Sequence, residues 1–370
     1  MSPLNSLVRA FLLAGALAAA GQNSPQSFDQ LSTSAQHAYE SDHPEEAAKL
    51  YTEALKLRPD WAQGWWALGM IAYEGDRYSE CSDALTRMVA LDASAAPGWD
   101  LLGLCEFRTK QYEKALEHLK RGHMLVSPRE QAGPLHDMAN YHLAMLLTRQ
   151  GAFEVAQEIF AEVALKVRDN PDMVFAAGLS ALRLPILPSE VPADRRDVVG
   201  LAGKTFWDVV NQPPAQAESD FKTLVATWPN IPNVHYFYGT YLAAHHPEQC
   251  ATEFLTELRV SPDSVPARVQ LALRNIVEQK PDDAFKMAKE AVALSPDSVG
   301  AQLALGEALR AQGNDQRSLS AYLEARRLDP SSPKIRLYLV NVYRALGRTE
   351  EMRREQTEYN RLKTEQPNWP

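Results

Sequence analysis

The chain has 370 residues, of which 45% are apolar and 23% charged, an ordinary composition for a folded chain with enough material for a hydrophobic core. Its 47 acidic and 38 basic side chains give a formal net charge of −9, and the basic residues form no long stripe. Because an acidic surface repels phosphate backbones, this balance argues against a nucleic acid partner.

The first twenty residues differ in composition from the rest. Arg9 is followed by an apolar run over residues 10–20 that ends in small side chains, as a signal-peptidase cleavage site requires. The run is shorter than the roughly 20 residues that a membrane span needs. The pattern predicts a secretory signal peptide over residues 1–20 and a linker over 21–27. The alternatives are an uncleaved anchor and a frayed leader, and only the uncleaved anchor would bring the chain to a membrane.

From residue 28 onward, the sequence repeats with a period of about 34 residues. Pro262, Pro296 and Pro330 each close a helix-like segment, and each is separated from the next by one full period. Since proline cannot continue a helix, each of them marks a turn towards the next unit. Other elements recur in phase: Trp65-x2-Leu68-Gly69, Trp99-x2-Leu102-Gly103, Ala47-x3-Tyr51, Ala156-x3-Phe160 and Ala217-x3-Phe221.

This combination of motifs resembles the tetratricopeptide-repeat family, and the predicted leader suggests its exported bacterial type. The resemblance covers most of the chain. It implies an all-α fold, a right-handed superhelical solenoid of about nine helix-turn-helix repeats, one of them enlarged by an insertion. It also implies protein binding, because the first helix of each pair lines a concave groove in this family.

The repeats predict a domain plan in chain order. An N-terminal block of four repeats spans 28–171, and the enlarged fifth repeat, with an inserted loop and helix, spans 172–229. A C-terminal block of four repeats spans 231–363 and ends in a polar helix that can face water as a cap. A short tail follows over residues 364–370.

Within the enlarged repeat, the stretch from Leu184 to Pro192 contains too many prolines for a helix. An extra helix is predicted from Asp194, as its N-cap, to Gln212, where Pro213 follows. The insertion either shapes a binding surface or serves as a spacer.

The family resemblance also assigns a candidate binding groove. Its positions in repeats two to four carry mainly aromatic and methionine side chains, although Asp100 occupies one of them. Aromatic side chains give contact area at little entropic cost, and methionine adapts to varied partners. The predicted site residues are Trp66, Met70, Tyr73, Leu104, Phe107, Tyr141 and Met145. The expected ligand is an apolar or amphipathic segment of a protein or peptide; the alternative is that tight repeat stacking buries these side chains.

No other motif predicts chemistry. The segment from Gly200 to Thr205 resembles the end of a phosphate-binding loop, but Val198 replaces its first glycine and no strand precedes it. The nine histidines form no HExxH motif and are interpreted as structural or surface residues. We therefore expect no catalytic residue, no metal and no small-molecule cofactor.

The three cysteines form no metal or redox motif. Cys81 and Cys250 occupy the small-residue position of a second helix, and Cys105 lies late in the first helix that follows Cys81. Since a second helix packs on the next first helix, Cys81 can approach Cys105. A disulfide between them is one open outcome in an oxidising compartment.

Together these patterns predict a non-catalytic scaffold or adaptor, periplasmic or extracellular, in an envelope or secretion assembly. Two alternatives stay open: an accessory subunit or repeat domain of an envelope enzyme, and a self-assembling structural solenoid. The repeats leave little room for a separate catalytic domain, and the polar last helix disfavours end-to-end assembly.

Overall fold

A computed structural model describes residues 26–126, 133–167 and 170–365. Within those ranges the chain forms nineteen α-helices and no strand. The prediction of an all-α repeat solenoid is therefore confirmed. The predicted signal peptide, most of the linker and most of the tail lie outside the described residues.

The described chain forms two compact bodies. The first contains the residues up to Met173 together with Pro185–Ser189, and the second contains Val174–Leu184 and the residues from Glu190 onward. The helices of the first body are α1 (Phe28–Glu40), α2 (Pro44–Leu57), α3 (Ala62–Glu74), α4 (Tyr78–Leu91), α5 (Ala96–Arg108), α6 (Tyr112–Leu125), α7 (Pro134–Gln150) and α8 (Phe153–Lys166). Each odd-numbered helix packs against the even-numbered helix that follows it.

The boundary between the bodies falls inside α9 (Pro171–Ala181). The remaining helices are α10 (Arg196–Asn211), α11 (Pro214–Thr227), α12 (Val234–His245), α13 (Cys250–Val260), α14 (Val265–Val277), α15 (Pro281–Leu294), α16 (Val299–Ala311), α17 (Asp315–Leu328), α18 (Pro333–Ala345) and α19 (Thr349–Glu365). From α12 onward they again form consecutive pairs. In the part of the chain that the structure describes, no helix is both long and apolar enough to cross a membrane.

A single residue with left-handed backbone angles makes most of the turns inside these pairs. Gly313 and Gly347 have φ of 75° and 69°, and glycine adopts these angles without steric cost. Lys110 and Gln279 occupy the same kind of turn with φ of 61° and 60°. Their side chains make this conformation costly, so packing of the paired helices has to offset local strain.

Glycine also sets the distance between the two helices of a pair. A Cβ atom built on Gly69 would lie 2.7 Å from Cγ of Leu85, and one built on Gly103 would lie 2.5 Å from Cγ of Leu119. These distances are shorter than any van der Waals contact. The glycine of the repeat motif is therefore required because the second helix lies directly against it.

The enlarged repeat is packed together by its own glycines. A Cβ atom on Gly178 of α9 would lie 2.1 Å from the carbonyl oxygen of Val199, and one on Gly203 of α10 would lie 2.0 Å from that of Val174. The two helices therefore cross with their backbones in contact. The inserted helix is an integral part of the second body.

The start of that inserted helix differs from the prediction. Asp194 lies in a short 3-10 turn, Ala193–Arg195, and α10 begins at Arg196 with no side chain capping its first N–H groups. The prediction of Asp194 as the N-cap is therefore wrong. The preceding 3-10 turn leads directly into the helix, and Arg195 takes the cap position.

The last helix is held to its neighbours by a buried carboxylate. Glu355 of α19 accepts a hydrogen bond from Nη1 of Arg336 at 2.9 Å and a second one from Arg326. Most other charges of α19 lie on its exposed surface. The helix thus presents a polar face to water at the end of the second body.

Candidate interaction surface

The seven predicted site residues lie on α3, α5 and α7, the first helices of repeats two to four. Three of them are closed to solvent: Met70 is 7% exposed, Leu104 1% and Met145 5%. Four of them are half-buried and reach solvent. We call these four the N-terminal aromatic surface; they are Trp66, Tyr73, Phe107 and Tyr141. Partner binding at these residues stays a prediction.

The repeat position of Asp100 predicted that it lies in the groove, but the structure places it in the interior. It is 1% exposed, and its Oδ2 accepts a hydrogen bond from Nδ1 of His136 at 2.8 Å. Burial raises the pKa of Asp100, and the hydrogen bond from His136 opposes that rise. The carboxylate of Asp100 is accommodated in the interior because His136, in the first turn of α7, supplies a buried hydrogen-bond donor.

The α3 part of the aromatic surface rests on a packed core. Trp66 and Tyr73 pack against a buried cluster of α3, α4 and α5 that contains Met70. The ring of Tyr73 meets that of Tyr78 edge to face, with centroids 5.7 Å apart. Cζ of Arg108 lies 4.3 Å from the centre of the Tyr78 ring. Tyr73 is thus oriented by Tyr78 at the start of α4, and Tyr78 is in turn covered by a guanidinium group from the next repeat.

The same arrangement recurs one repeat later. Phe107 meets Tyr112 edge to face at 5.4 Å, and Cζ of Arg149 lies 4.6 Å from the centre of the Tyr112 ring. Phe107 also contacts the ring of His142, at 4.6 Å between centroids. The edge-to-face pairs fix the ring orientations, so α5 presents Phe107 in one defined position.

The polar groups of this surface are uncharged at neutral pH. Burial lowers the pKa of His142 to about 4, and its Nδ1 donates a hydrogen bond to the carbonyl oxygen of Met138 at 2.8 Å. Burial raises the pKa of the neighbouring Tyr141 to about 12. The surface is therefore aromatic and neutral, and guanidinium groups stand beside it. This chemistry suits an apolar or amphipathic partner segment.

A disulfide joins two helices beneath the α3 part of the surface. Cys81 of α4 is bonded to Cys105 of α5, with their Cα atoms 6.2 Å apart. Both cysteines are fully buried in the cluster against which Trp66 and Tyr73 pack. The sequence did not decide whether this disulfide forms, and the structure contains it. Cys250 is buried and free.

Sequence reasoning missed a buried polar cluster between α5, α6 and α7. Besides the pair of Asp100 and His136, Nδ1 of His123 lies 2.9 Å from Oδ1 of Asn140, and the two imidazole rings stack at 6.2 Å. Asp100 occupies the position that Trp66 holds one repeat earlier. A carboxylate where the previous repeat has an aromatic side chain was the signal that could have indicated the cluster.

Sequence reasoning also missed exposed apolar side chains in the second body. Val277 of α14 is 73% exposed, and Leu273, one turn earlier, is 37% exposed. The spacing of four residues places them on one face of the helix. That spacing was the signal that could have indicated them.

The motifs with resemblance to chemical sites have structural roles. Gly200 to Thr205 lies inside α10, where Lys204 forms ion pairs with Asp208 and Asp220. A helical segment cannot wrap a phosphate as a loop does. Among the residues that the structure describes, no group of three or more His, Cys, Asp or Glu is placed to hold a metal ion.

Comparisons with known proteins agree with the repeat architecture. The family profile described as tetratricopeptide repeat matches residues 33–96 and 270–333. No curated protein matches the chain. The chain is similar to a solved structure of a MamA RS-1 ArsTM double mutant, at 19% identity over 46% of this chain and 96% of that one, with a TM-score of 0.40.

Two further solved structures show a similar likeness. One is YrrB, described as a TPR protein with an unusual peptide-binding site, at 18% identity over 52% of this chain and 91% of that one, with a TM-score of 0.39. The other is the APC/C hetero-tetramer Cut9-Hcn1, at 15% identity over 90% and 72%, with a TM-score of 0.35. At these TM-scores the three structures carry no argument about the function of this chain.

Proposed function

Since this chain is a tetratricopeptide-repeat protein, we propose that it is a non-catalytic scaffold that binds a partner protein. The partner contributes an apolar or amphipathic segment. The segment binds at the N-terminal aromatic surface, where four aromatic side chains reach solvent on three successive first helices. Its apolar side covers the rings, and its polar side faces the guanidinium groups of Arg108 and Arg149.

One observation carries this proposal. Phe107 and Tyr73 are held in fixed orientations by edge-to-face contacts and by cations stacked on Tyr78 and Tyr112. A preorganised aromatic surface binds with a small loss of side-chain entropy, because the rings do not have to be ordered by the partner. Neutral His142 and Tyr141 add no charge that a partner would have to desolvate.

The proposed place of action is outside the cytoplasm, in a periplasmic or extracellular assembly. The apolar run that ends at Ala20 supports export. The bond between Cys81 and Cys105 supports an oxidising compartment, because cytosolic proteins are normally kept reduced. Sequencing of the N-terminus of the native protein tests this, and a mature chain that begins at Gly21 is expected. A full-length chain in the cytoplasmic fraction would reject export.

The binding proposal is tested by a crosslinked pull-down from the native envelope fraction. Wild type is compared with Trp66→Ala/Phe107→Ala, and Leu273→Ala/Val277→Ala in the second body is the matched control. We expect the partner with wild type and the control, and at least tenfold less with the first variant. Circular dichroism establishes that all three proteins are folded.

Other outcomes would favour a different site or function. Loss of the partner only in the Leu273→Ala/Val277→Ala variant would move the site to α14. Equal recovery by all three proteins would reject both surfaces. Concentration-dependent oligomers in gel filtration, with no partner recovered, would favour a self-assembling solenoid.

A further inference from the structure

At several contacts between successive repeats, the same two repeat positions lie on facing helices and keep one separation in the sequence. One position is on a second helix and the other is on the first helix that follows. Both residues are buried at each of these contacts. Two examples are Ala47 with Ile71 and Ala284 with Ala308, and each pair lies within one buried cluster. Neither pair contains a cysteine, so no covalent bond joins the helices at these contacts.

The contact between α4 and α5 is different. Its two positions hold Cys81 and Cys105, which have the same separation and are covalently bonded. Both side chains have no exposed surface. In a repeat array, neighbouring units separate first at their weakest contact. The covalent bond prevents separation at the contact between α4 and α5. Repeats two and three are therefore coupled as one unit.

The bond lies directly beneath part of the proposed binding surface. Cys81 and Cys105 belong to the buried cluster against which Trp66 and Tyr73 pack. Arg108, three residues after Cys105, reaches back to the Tyr78 ring at the start of α4. Separation of α4 from α5 would remove the guanidinium group from Tyr78, and the edge-to-face contact that orients Tyr73 would then rest on a less constrained ring. The geometry of the surface thus depends on the contact that the disulfide closes.

We propose that oxidation of Cys81 and Cys105 locks α4 onto α5 and thereby sets the rigidity of the N-terminal aromatic surface. In the dithiol form the repeats remain folded, but this contact opens as readily as the others and the rings lose their fixed orientations. The effect of this lock on partner binding rests on the proposed function of the surface. The existence of the lock does not depend on that function.

Formation of the disulfide requires an oxidant that supplies a disulfide of its own. The two thiols lose two protons and two electrons as the S–S bond forms, and the disulfide of a thiol–disulfide oxidoreductase accepts them and becomes a dithiol. The buried sulfur atoms are inaccessible in the closed structure. Exchange therefore takes place before α4 docks on α5, and the bond persists once the fold has closed.

The test uses a substitution that the chain itself supplies. Cys81→Ala/Cys105→Ala recreates the Ala284 and Ala308 pair, so the helices keep a packing that this fold already uses while the bond is removed. Cys250→Ala is the matched control, because it removes a buried cysteine outside the bond. Amide hydrogen exchange in α3, α4 and α5 is measured for both variants and for wild type.

We expect exchange at least tenfold faster in α4 and α5 of the double variant, and no change with Cys250→Ala. Wild type treated with dithiothreitol under mild denaturant and then returned to buffer should match the double variant. Equal exchange in the oxidised, reduced and alanine forms would overturn the lock, whatever is learned about partners.

The pull-down then separates the lock from the proposed function. Reduced recovery with both Cys81→Ala/Cys105→Ala and Trp66→Ala/Phe107→Ala supports control of binding by oxidation. Full recovery with the cysteine variant and loss with the aromatic variant overturns that control and leaves the binding site in place. Full recovery with both rejects the binding site, while hydrogen exchange still decides whether the lock exists.

Discussion

Glu257 of α13 accepts a hydrogen bond from the backbone N–H of Asn233, just before α12, at an N···O distance of 2.8 Å. Its other oxygen accepts the N–H of Tyr236 at 3.2 Å. Asn233 offers no side-chain cap to α12. The free N–H groups at the start of a helix need acceptors, and here the second helix of the pair supplies them.

This cap predicts a specific loss of stability. Glu257→Ala should lower the free energy of unfolding of the second body by about 2–3 kcal/mol, because buried N–H groups lose their acceptor. Glu257→Gln keeps one acceptor and should cost less. Urea denaturation followed by circular dichroism measures both. Glu350→Ala, which removes an exposed ion pair with Arg353, is the control and should change stability by less than about 1 kcal/mol. Equal effects of the two alanine variants would contradict the capping role.

The crossing of α9 and α10 gives a prediction with an internal control. Gly203→Ala places a Cβ atom 2.0 Å from a carbonyl oxygen, so the helices have to separate, and we expect a loss of more than about 3 kcal/mol. Gly200→Ala, in the same helix, meets no atom within 4 Å and should stabilise the chain by up to about 1 kcal/mol. Thermal unfolding measures both. A tolerated alanine at position 203 would show that the backbones are not in contact.

The turns with left-handed residues predict opposite effects of exchanging glycine and glutamine. Gln279→Gly should stabilise the second body by about 0.5–1 kcal/mol, because it removes a steric cost larger than the entropy that glycine loses. Gly313→Gln, at the equivalent turn, should destabilise it by about 1 kcal/mol. The midpoints of urea denaturation provide the measurement. Shifts of the same sign in both variants would argue against strain at these turns.

His142 predicts how the first body responds to acid. Its pKa is about 4 in the folded chain, against an ordinary value of 6.5, so the unfolded chain binds a proton more readily. Its contribution to stability is complete above pH 6.5 and is lost as the pH falls from 6.5 towards 4. The upper limit of this loss of stability is about 3 kcal/mol. The measured loss should be smaller than this limit, because His142 is only half-buried.

Urea denaturation at pH 7.5, 6.0 and 4.5 measures this loss. His142→Phe retains an aromatic ring beside Phe107 and should flatten the dependence between pH 6.5 and 4. His118→Asn, at a histidine paired with Glu106, should leave the contribution of His142 in place. An unchanged pH dependence in His142→Phe would contradict a neutral, half-buried imidazole at this position.

The local pairing of helices was accessible from the sequence because its causes are local. A constant repeat period with a closing proline fixes where helices start and end, and Gly69 and Gly103 recur where the second helix approaches. The same logic identified the extra helix around residues 196–211, since Pro213 has to end it. Its start was misjudged because a 3-10 turn, which involves a few residues only, leaves little signal.

The sequence by itself determined that this chain is an array of helical pairs and which side chains face a neighbour within each pair. Only the tertiary structure decided which residues of the predicted groove reach solvent, because Met70, Leu104 and Met145 are covered by neighbouring helices that the repeat pattern does not locate. It likewise decided that Asp100 meets His136 and that Cys81 meets Cys105. Burial and pairing depend on the distance between side chains on different helices, and sequence periodicity carries the order of those helices but not that distance.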